Sequence, residues 1–444
     1  MYLKRKIDDF LLAWKADPER NPLLIKGARQ VGKTESIKQF ADHNYSNCVY
    51  INFALEKKYM TIADEGYDVD TVIKHISLIN PQFGFPEKDT LIVFDEIQEY
   101  PDIATTLKSF KLDGRFDVIC SGSMLGINHK KIHSNSVGYK TDHEMYSMDF
   151  EEFLWAKGYS DEQIKEIPGH MIDNRPFSST EMSVFKALFL DYCVLGGMPA
   201  VVSRYINTGL FTGIPDIQAQ IRLDYEEDVR KYAEGLDQTK ILSVYRSIPA
   251  QLAKENKKYQ FNKIAPNARS REYSGCIEWL IDAGVVSECN CLMYPELPFK
   301  GNADMSKFKL YYPDTGLLVS ALDDEAQEDL RSNKNLGVYK GALYENFVAE
   351  AFLKQGLGLY YYKKENSTLE EDFFVRTGNE LIPVEVKSND HASRSLSALI
   401  KNEKYSDIKR GIKLGDLNTC NSGSIISFPY FCAFMIKEYL RSLG

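Results

Sequence analysis

Gly27-Ala28-Arg29-Gln30-Val31-Gly32-Lys33-Thr34 decides the fold of the N-terminal part of this 444-residue chain. The octapeptide fits GxxxxGK[ST] at every fixed position. An apolar stretch, PLLIK at 22–26, leads in, and a helical stretch, ESIKQFADH at 35–43, leads out. A strand before the loop and a helix after it are what this motif needs. Glycines let backbone N–H groups curl around phosphates, and the positive end of the following helix faces them. Lys33 is expected to reach the β- and γ-phosphates of ATP, and Thr34 to bind Mg²⁺ through its hydroxyl.

Outward from the loop, short apolar runs alternate with longer amphipathic stretches up to about residue 150. CVYINF (48–53), TLIVFDE (90–96) and FDVICSGS (116–123) read as buried strands of a parallel sheet, with helices as the crossovers. The run at 91–94 ends in Asp95-Glu96. An aspartate there can hold Mg²⁺, and the adjacent glutamate can polarise an attacking water. The third run ends in Ser121-Gly122-Ser123, where Ser121 or Ser123 can sense a γ-phosphate or simply form a strand-to-loop turn.

The remaining chain divides by pattern. Residues 151–235 carry apolar positions at helical spacing and read as a helical lid or connector. Residues 236–330 run helix, helix, hairpin, which is the order of a winged helix. Residues 335–444 read as a third α/β unit opened by the helix GALYENFVAEAFLKQG (341–356). The fold expected from this pattern is α/β multidomain: a P-loop sheet over 1–150, then connector, winged helix and a further α/β domain.

Composition narrows the function classes. A net charge of -9 argues against a generally cationic nucleic-acid coat. No run of 18 apolar residues occurs, so no membrane span is expected. None of the eight cysteines forms a CxxC pair, and a reduced, cytoplasmic protein is the expectation.

GARQVGKT, VFDEIQ, the SGS strand end, DFEEFL, LGGMPAVV, YYPDTGLL and IPVEVKS occur in one order across nearly the whole chain. Together they resemble a family of prokaryotic AAA+-like ATPases that join a P-loop domain to a C-terminal DUF4143 region. The resemblance implies an AAA+-like P-loop domain with Mg-ATP binding at Lys33, Thr34, Asp95 and Glu96, a winged helix in the middle and a nuclease-like (restriction-endonuclease-like) fold at the end. One departure stands out. Where many members carry an arginine after the sensor strand, this chain reads Val137-Gly138-Tyr139-Lys140. Arg222 and Arg230 in the connector are alternative arginines, each equally readable as a surface ion-pair residue.

In the last unit Glu385-Val386-Lys387 lies on an apolar strand, and alternation puts Glu385 and Lys387 on one face. Asp372 starts the preceding strand, with a hairpin expected around Thr377-Gly378-Asn379. This set has the form of the D…ExK constellation, in which carboxylates hold Mg²⁺ and the lysine steadies an attacking water. The resemblance adds Glu345 as a third metal-side carboxylate. The rival reading is a strand pair with charges on its wet face. A basic stretch at 254–271 (Lys254, Lys257, Lys258, Lys263, Arg269, Arg271) interleaves Tyr259 and Phe261, with Tyr273 just beyond it. It is a candidate DNA surface or a solvated loop used for protein contacts. Two outputs stay open: a nucleotide-driven switch with a nuclease acting on DNA, or a regulatory ATPase whose idle C-terminal domain docks a protein or DNA partner.

Overall fold

The apolar runs flanking the glycine-rich loop lie side by side in one sheet. The structure, a computed structural model, describes residues 2–123, 136–233, 235–254, 257–322, 325–332, 338–387 and 393–444. These residues form two compact units. The first runs to Tyr146 and includes Asp282–Gly284; the second comprises Ser147–Ile281 and Val285–Gly444.

The first unit contains α1 (Lys6–Ala16), β1 (Leu23–Gly27), α2 (Lys33–Asn44), β2 (Asn47–Asn52), α3 (Val69–Ile79), β3 (Thr90–Asp95), α4 (Leu107–Asp113), β4 (Asp117–Ser123) and β5 (Thr141–Glu144). The strands pair in the order β2-β3-β4-β1-β5, all parallel. Every residue of β3 is buried, which is why it reads as a continuous apolar run rather than an alternating one. Val49, Ile51, Ile92, Phe94, Val118 and Cys120 pack with Tyr100, Leu107 and Phe110 in one core. This order sets β4 between β1 and β3, so the carboxyl ends of the three motif-bearing strands are neighbours. Open parallel sheets bind their ligands at such ends.

The second unit begins with five helices, as its 3.6-residue apolar spacing predicts: α5 (Phe150–Ala156), α6 (Asp161–Ile172), α7 (Ser179–Leu195), α8 (Pro199–Thr208) and α9 (Ile214–Tyr232). There follow α10 (Gln238–Leu252), α11 (Ser274–Asp282), β6 (Ser287–Leu292), α12 (Phe299–Asn302), β7 (Ala303–Tyr311), α13 (Thr315–Val319), α14 (Ala326–Arg331) and α15 (Val338–Lys354). The chain ends with β8 (Tyr360–Lys363), β9 (Glu370–Glu371), β10 (Phe373–Thr377), β11 (Glu380–Lys387), α16 (Arg394–Ile400), β12 (Gly411–Gly415), β13 (Cys420–Ser422), β14 (Ile425–Pro429) and α17 (Ile436–Ser442).

Two sheets organise this unit. One runs β7-β6-β8-β9, the other β10-β11-β12-β14-β13. The antiparallel β6–β7 hairpin therefore shares its sheet with β8 and β9 from beyond residue 335. The β10–β11 hairpin turns at Gly378-Asn379, with Thr377 opposite Glu380. The expected helix over residues 271–284 is shorter. A 3₁₀ turn at Ser270–Glu272 precedes α11, which starts at Ser274.

Three of the motifs without evident chemistry meet in one buried knot of the second unit. A Cβ on Gly197 would fall 1.8 Å from the Met148 carbonyl oxygen, and one on Gly196 would fall 2.1 Å from Asp314 Oδ1. Asp314 Oδ2 accepts from the Gly197 amide and from Ser147 Oγ, both at 2.8 Å. Glu350 of α15 accepts from Thr315 N at 2.6 Å and from Lys354 Nζ at 2.6 Å. LGGMPAVV and YYPDTGLL, together with the residues just before DFEEFL, thus act as packing and hydrogen-bonding elements. A buried polar network of this kind holds only when its members are satisfied together.

Candidate functional site

The phosphate loop takes its shape from backbone conformations that most residues avoid. Gln30 (φ 63°) and Gly32 (φ 100°) are both left-handed, and Val31 lies between them. Alternation of this sort turns successive N–H groups to one side and forms an anion-binding nest. Gly27 must be glycine for a different reason, since a Cβ there would fall 2.1 Å from the Met145 carbonyl oxygen. Lys33, only 7% exposed, donates from Nζ to the carbonyls of Gly27 (2.9 Å) and Ala28 (2.8 Å). Its ammonium therefore sits at the mouth of the loop, at the head of α2.

Asp95 is the hub of the site, with 1% of its surface exposed. Its Oδ2 accepts from Thr34 Oγ1 at 3.0 Å, from Asn52 Nδ2 at 3.3 Å and from the Tyr50 hydroxyl. Its Oδ1 accepts from the Glu96 amide at 3.0 Å and from Ser121 Oγ. Burial, and then the bond to Asp95, pushes the Tyr50 hydroxyl well above the usual tyrosine range, so it stays a donor. Glu96 follows in a left-handed conformation (φ 58°), a strained geometry for a residue with a side chain. Its carboxylate accepts from the Gln98 amide, and Gln98 Oε1 accepts from the Ser123 amide at 3.3 Å. Gly122 leaves room for this bridge, because a Cβ would fall 2.8 Å from Gln98 Oε1. Ser121 is engaged with Asp95, whereas the buried Ser123 hydroxyl has no hydrogen-bond partner among the described residues.

The site thus brings together Gly27, Ala28, Gln30, Val31, Gly32, Lys33, Thr34, Asp95, Glu96 and Ser121; Arg29 lies on the same loop. Sequence reasoning missed Tyr50, Asn52 and Gln98. The first two lie on β2, whose residue Asn52 stands opposite Asp95 in register. The missing arginine is not replaced by Lys140, which pairs with Asp142. Arg222 donates to the Ser320 carbonyl of its own unit. The Arg230 carbonyl accepts from Gln238 at 3.0 Å.

The C-terminal set assembles differently from the expectation. Asp372 lies between β9 and β10 rather than on a strand, and its Oδ2 accepts from the Val386 amide at 2.9 Å. Glu345 of α15 accepts from Tyr311 at 2.5 Å and pairs with Lys309 at 3.0 Å and with Lys257. Lys309, 1% exposed, also stands 3.4 Å from Glu370 and 3.9 Å from Asp372. Glu385 pairs with Lys387 at 2.9 Å, on the shared face that strand alternation predicts. The Lys309 ammonium therefore lies among Glu345, Glu370 and Asp372. Among the described residues no group of three or more His, Cys, Asp or Glu side chains is placed to hold a metal ion.

Electrostatics splits the acids. Burial alone would raise the Glu345 carboxyl, but Lys257 and Lys309 pull it down to about 2. Burial, and then the Glu345 charge, pushes Asp372 up to about 7. Glu371 is driven well above the carboxylate range by burial and then by Glu385, and neither of its oxygens has a partner among the described residues.

The basic stretch is partly spent within the fold. Lys257 turns in to Glu345, while Lys263, Arg269 and Arg271 are exposed; residues 255–256 lie outside the described residues. Two of the interleaved aromatics are core packing rather than surface. Tyr259 and Tyr273 are buried, and Tyr259 stacks on Phe308 with centroids 5.8 Å apart. Buried rings cannot stack on bases.

Comparison with known proteins agrees with this geometry. Residues 19–154 match the AAA domain model, residues 186–328 a domain of unknown function (DUF8612) and residues 340–427 the DUF4143 domain of unknown function. The fold and site define a P-loop protein of the AAA+ class. With the C-terminal match, the findings support an AAA+-like P-loop ATPase domain followed in the same chain by a DUF4143 region.

No curated protein matches the chain. Among solved structures it is similar to the Walker-type ATPase PABY2304 of Pyrococcus abyssi at 14% identity, covering 72% of this chain and 96% of that one, TM-score 0.44. The RuvB Holliday junction branch migration motor of Thermotoga maritima matches at 14% identity over 64% and 89% of the two chains, TM-score 0.30. The ORC1 protein of Aeropyrum pernix, solved in complex with DNA, matches at 12% over 74% and 91%, TM-score 0.27. The P-loop fold implies nucleotide binding, and no described helix is long and apolar enough to cross a membrane.

Proposed function

We propose that the chain binds and hydrolyses Mg-ATP in its first unit and works as a nucleotide-driven switch. The observation that carries this reading is the 3.0 Å contact of Thr34 Oγ1 with Asp95 Oδ2, beside the buried Lys33 ammonium. These two groups would share a magnesium ion, Thr34 directly and Asp95 through the ion's shell. Mg-ATP supplies the scissile phosphoanhydride, with the metal neutralising charge on its phosphates. The amides of the loop over 27–34 would bind the phosphates, and Lys33 would turn from the Gly27 and Ala28 carbonyls to the β- and γ-phosphates. Glu96 would accept the proton of the attacking water, held in place by the Gln98 amide. Ser121 orients Asp95, which leaves the Ser123 hydroxyl as the group available to sense the γ-phosphate.

The test is a pair of variants in the full chain. Lys33→Ala is expected to abolish ATP binding. Glu96→Gln is expected to bind ATP normally while turnover falls by about 10²-fold or more, as for loss of a general base. Equal turnover in Glu96→Gln and wild type would rule out this base.

For the second unit we favour a regulatory output in which the exposed Lys263, Arg269 and Arg271 contribute to docking a DNA or protein partner. The support is the pairing of Glu345 with Lys257 and Lys309 and of Glu385 Oε1 with Lys387. A nuclease output retains one observation in its favour: the buried oxygens of Glu371 and Glu385 Oε2 that lack a partner. Incubation with plasmid and Mg²⁺ separates the two. Cutting by wild type that is lost in Glu385→Ala would establish the nuclease; no cutting by either supports the regulatory reading.

A further inference from the structure

We propose that Arg5 is a positioning residue for the phosphate loop, acting through the Val31–Gly32 peptide. The proposal rests on the nucleotide reading above. Arg5 precedes α1 and is only 5% exposed. Its Nη1 donates to the Val31 carbonyl at 2.8 Å, and its Nη2 donates to the Tyr146 carbonyl at 2.8 Å. Both acceptors belong to the same unit as Arg5.

The consequence follows from peptide geometry. A trans peptide is planar, and its C=O and N–H point in opposite directions. With the Val31 carbonyl held by the guanidinium, the Gly32 N–H must point away from Arg5. That amide belongs to the nest formed by the left-handed Gln30 and Gly32, the part of the loop that would meet phosphate oxygens. Val31 is itself buried, so its carbonyl cannot be served by bulk water if Arg5 is removed.

The segment that carries Arg5 is anchored to the same apparatus a second time. The Tyr2 hydroxyl donates to Asp8 Oδ1 at 2.5 Å and lies within hydrogen-bond distance of Ser36 Oγ at 3.1 Å, and Ser36 lies in the first turn of α2 beyond Thr34. Asp8 Oδ2 accepts from the Arg5 amide at 2.9 Å, which fixes the backbone from which the guanidinium extends. The stretch from Tyr2 to Asp8 therefore braces both the loop and the helix that follows it. A lysine in place of Arg5 can make one of the two carbonyl bonds well but lacks the planar fork that spans both.

The experiment uses the full chain as wild type, Arg5→Lys and Arg5→Ala. Isothermal titration gives Kd for MgATP and for tripolyphosphate, which carries phosphates without a base. Steady-state turnover gives KM and kcat, and melting without nucleotide reports the fold. Arg5→Ala is expected to weaken both ligands by at least about tenfold, roughly 1.4 kcal/mol. Arg5→Lys is expected to fall between it and wild type. KM should rise with kcat nearly unchanged, the pattern of lost uniform binding. A strut that only supports the fold would lower melting without moving either Kd in Arg5→Lys. If Arg5→Ala fails to fold, Arg5→Lys carries the test, and a wild-type Kd for both ligands in that folded variant overturns the proposal. Wild type that binds no MgATP would instead take down the nucleotide reading and this proposal with it.

Discussion

Replacing Lys309 by methionine removes an ammonium that stands within 3.9 Å of three carboxylates, and it does so at 1% exposure. Methionine keeps most of the side-chain length and can still pack against the Tyr361 ring, 4.8 Å from the lysine nitrogen. What disappears is the charge. Breaking a buried ion pair by deleting one partner costs about 3–5 kcal/mol, because the remaining charge is left uncompensated. The lower end applies here, about 3 kcal/mol, since Glu345 keeps its pair with Lys257 and its bond from Tyr311. At about 2–4 °C per kcal/mol for a large domain, the melting transition of the second unit should drop by roughly 6–12 °C near neutral pH.

The pH dependence gives the sign. Glu345 has a carboxyl depressed to about 2, so its ion pairs contribute stability above the unfolded carboxylate range and lose it as pH falls. The deficit of Lys309→Met should therefore persist near neutral pH and shrink as pH falls from about 4 toward about 2. Differential scanning calorimetry of wild type, Lys309→Met, Glu345→Gln and the double variant provides the assay. The coupling energy of that cycle should exceed about 1 kcal/mol, as for residues in one buried network. Melting within about 2 °C of wild type, together with additive single effects, would refute the claim that Lys309 neutralises this cluster.

Two further outcomes follow from the structure. Gly197→Ala should prevent the second unit from folding or depress its melting severely, because the new methyl would lie 1.8 Å from the Met148 carbonyl oxygen and 2.7 Å from its carbon; wild-type-like melting would contradict the packing knot. Asp372→Asn should remove a slope in the pH–stability curve. The Asp372 carboxyl is raised to about 7 by burial and then by the Glu345 charge. The folded state thus holds a proton that the unfolded state releases between about pH 4 and pH 7, and stability falls as pH rises through that window. Urea midpoints across the window would show the slope in wild type and its loss in the variant; an unchanged slope would contradict the assignment.

The reach of sequence reading differs between the two ends of the chain. The phosphate loop, Asp95, Glu96 and the Gly378-Asn379 turn were legible because each is set by neighbours within a few residues. A left-handed position, a buried strand end or a two-residue hairpin announces itself in local residue types. The helical run over 151–235 was legible for the same reason, through its 3.6-residue apolar spacing. The C-terminal carboxylates were legible as residues but not as a state. Glu385 and Lys387 share a face, as alternation requires, yet what surrounds Glu345 comes from Lys257, Lys309 and Tyr311, on segments separated by 34 to 88 positions. Tyr259 and Tyr273 show the same limit. Aromatics between lysines resemble a stacking surface in one dimension and are core residues in three.

By itself the sequence determined the P-loop fold of the first unit, because a phosphate cradle is made of backbone conformation and needs only glycines, a lysine and a hydroxyl in the right eight positions. The tertiary structure alone decided which charges are neutralised and which carbonyls are held. Asp95 gained Tyr50 and Asn52 from a neighbouring strand, and Val31 gained Arg5 from 26 residues upstream. Glu345 met the ammonium groups of Lys257 and Lys309. Coulomb and hydrogen-bond energies depend on distance and burial, and the folded chain sets both through contacts that no local pattern encodes.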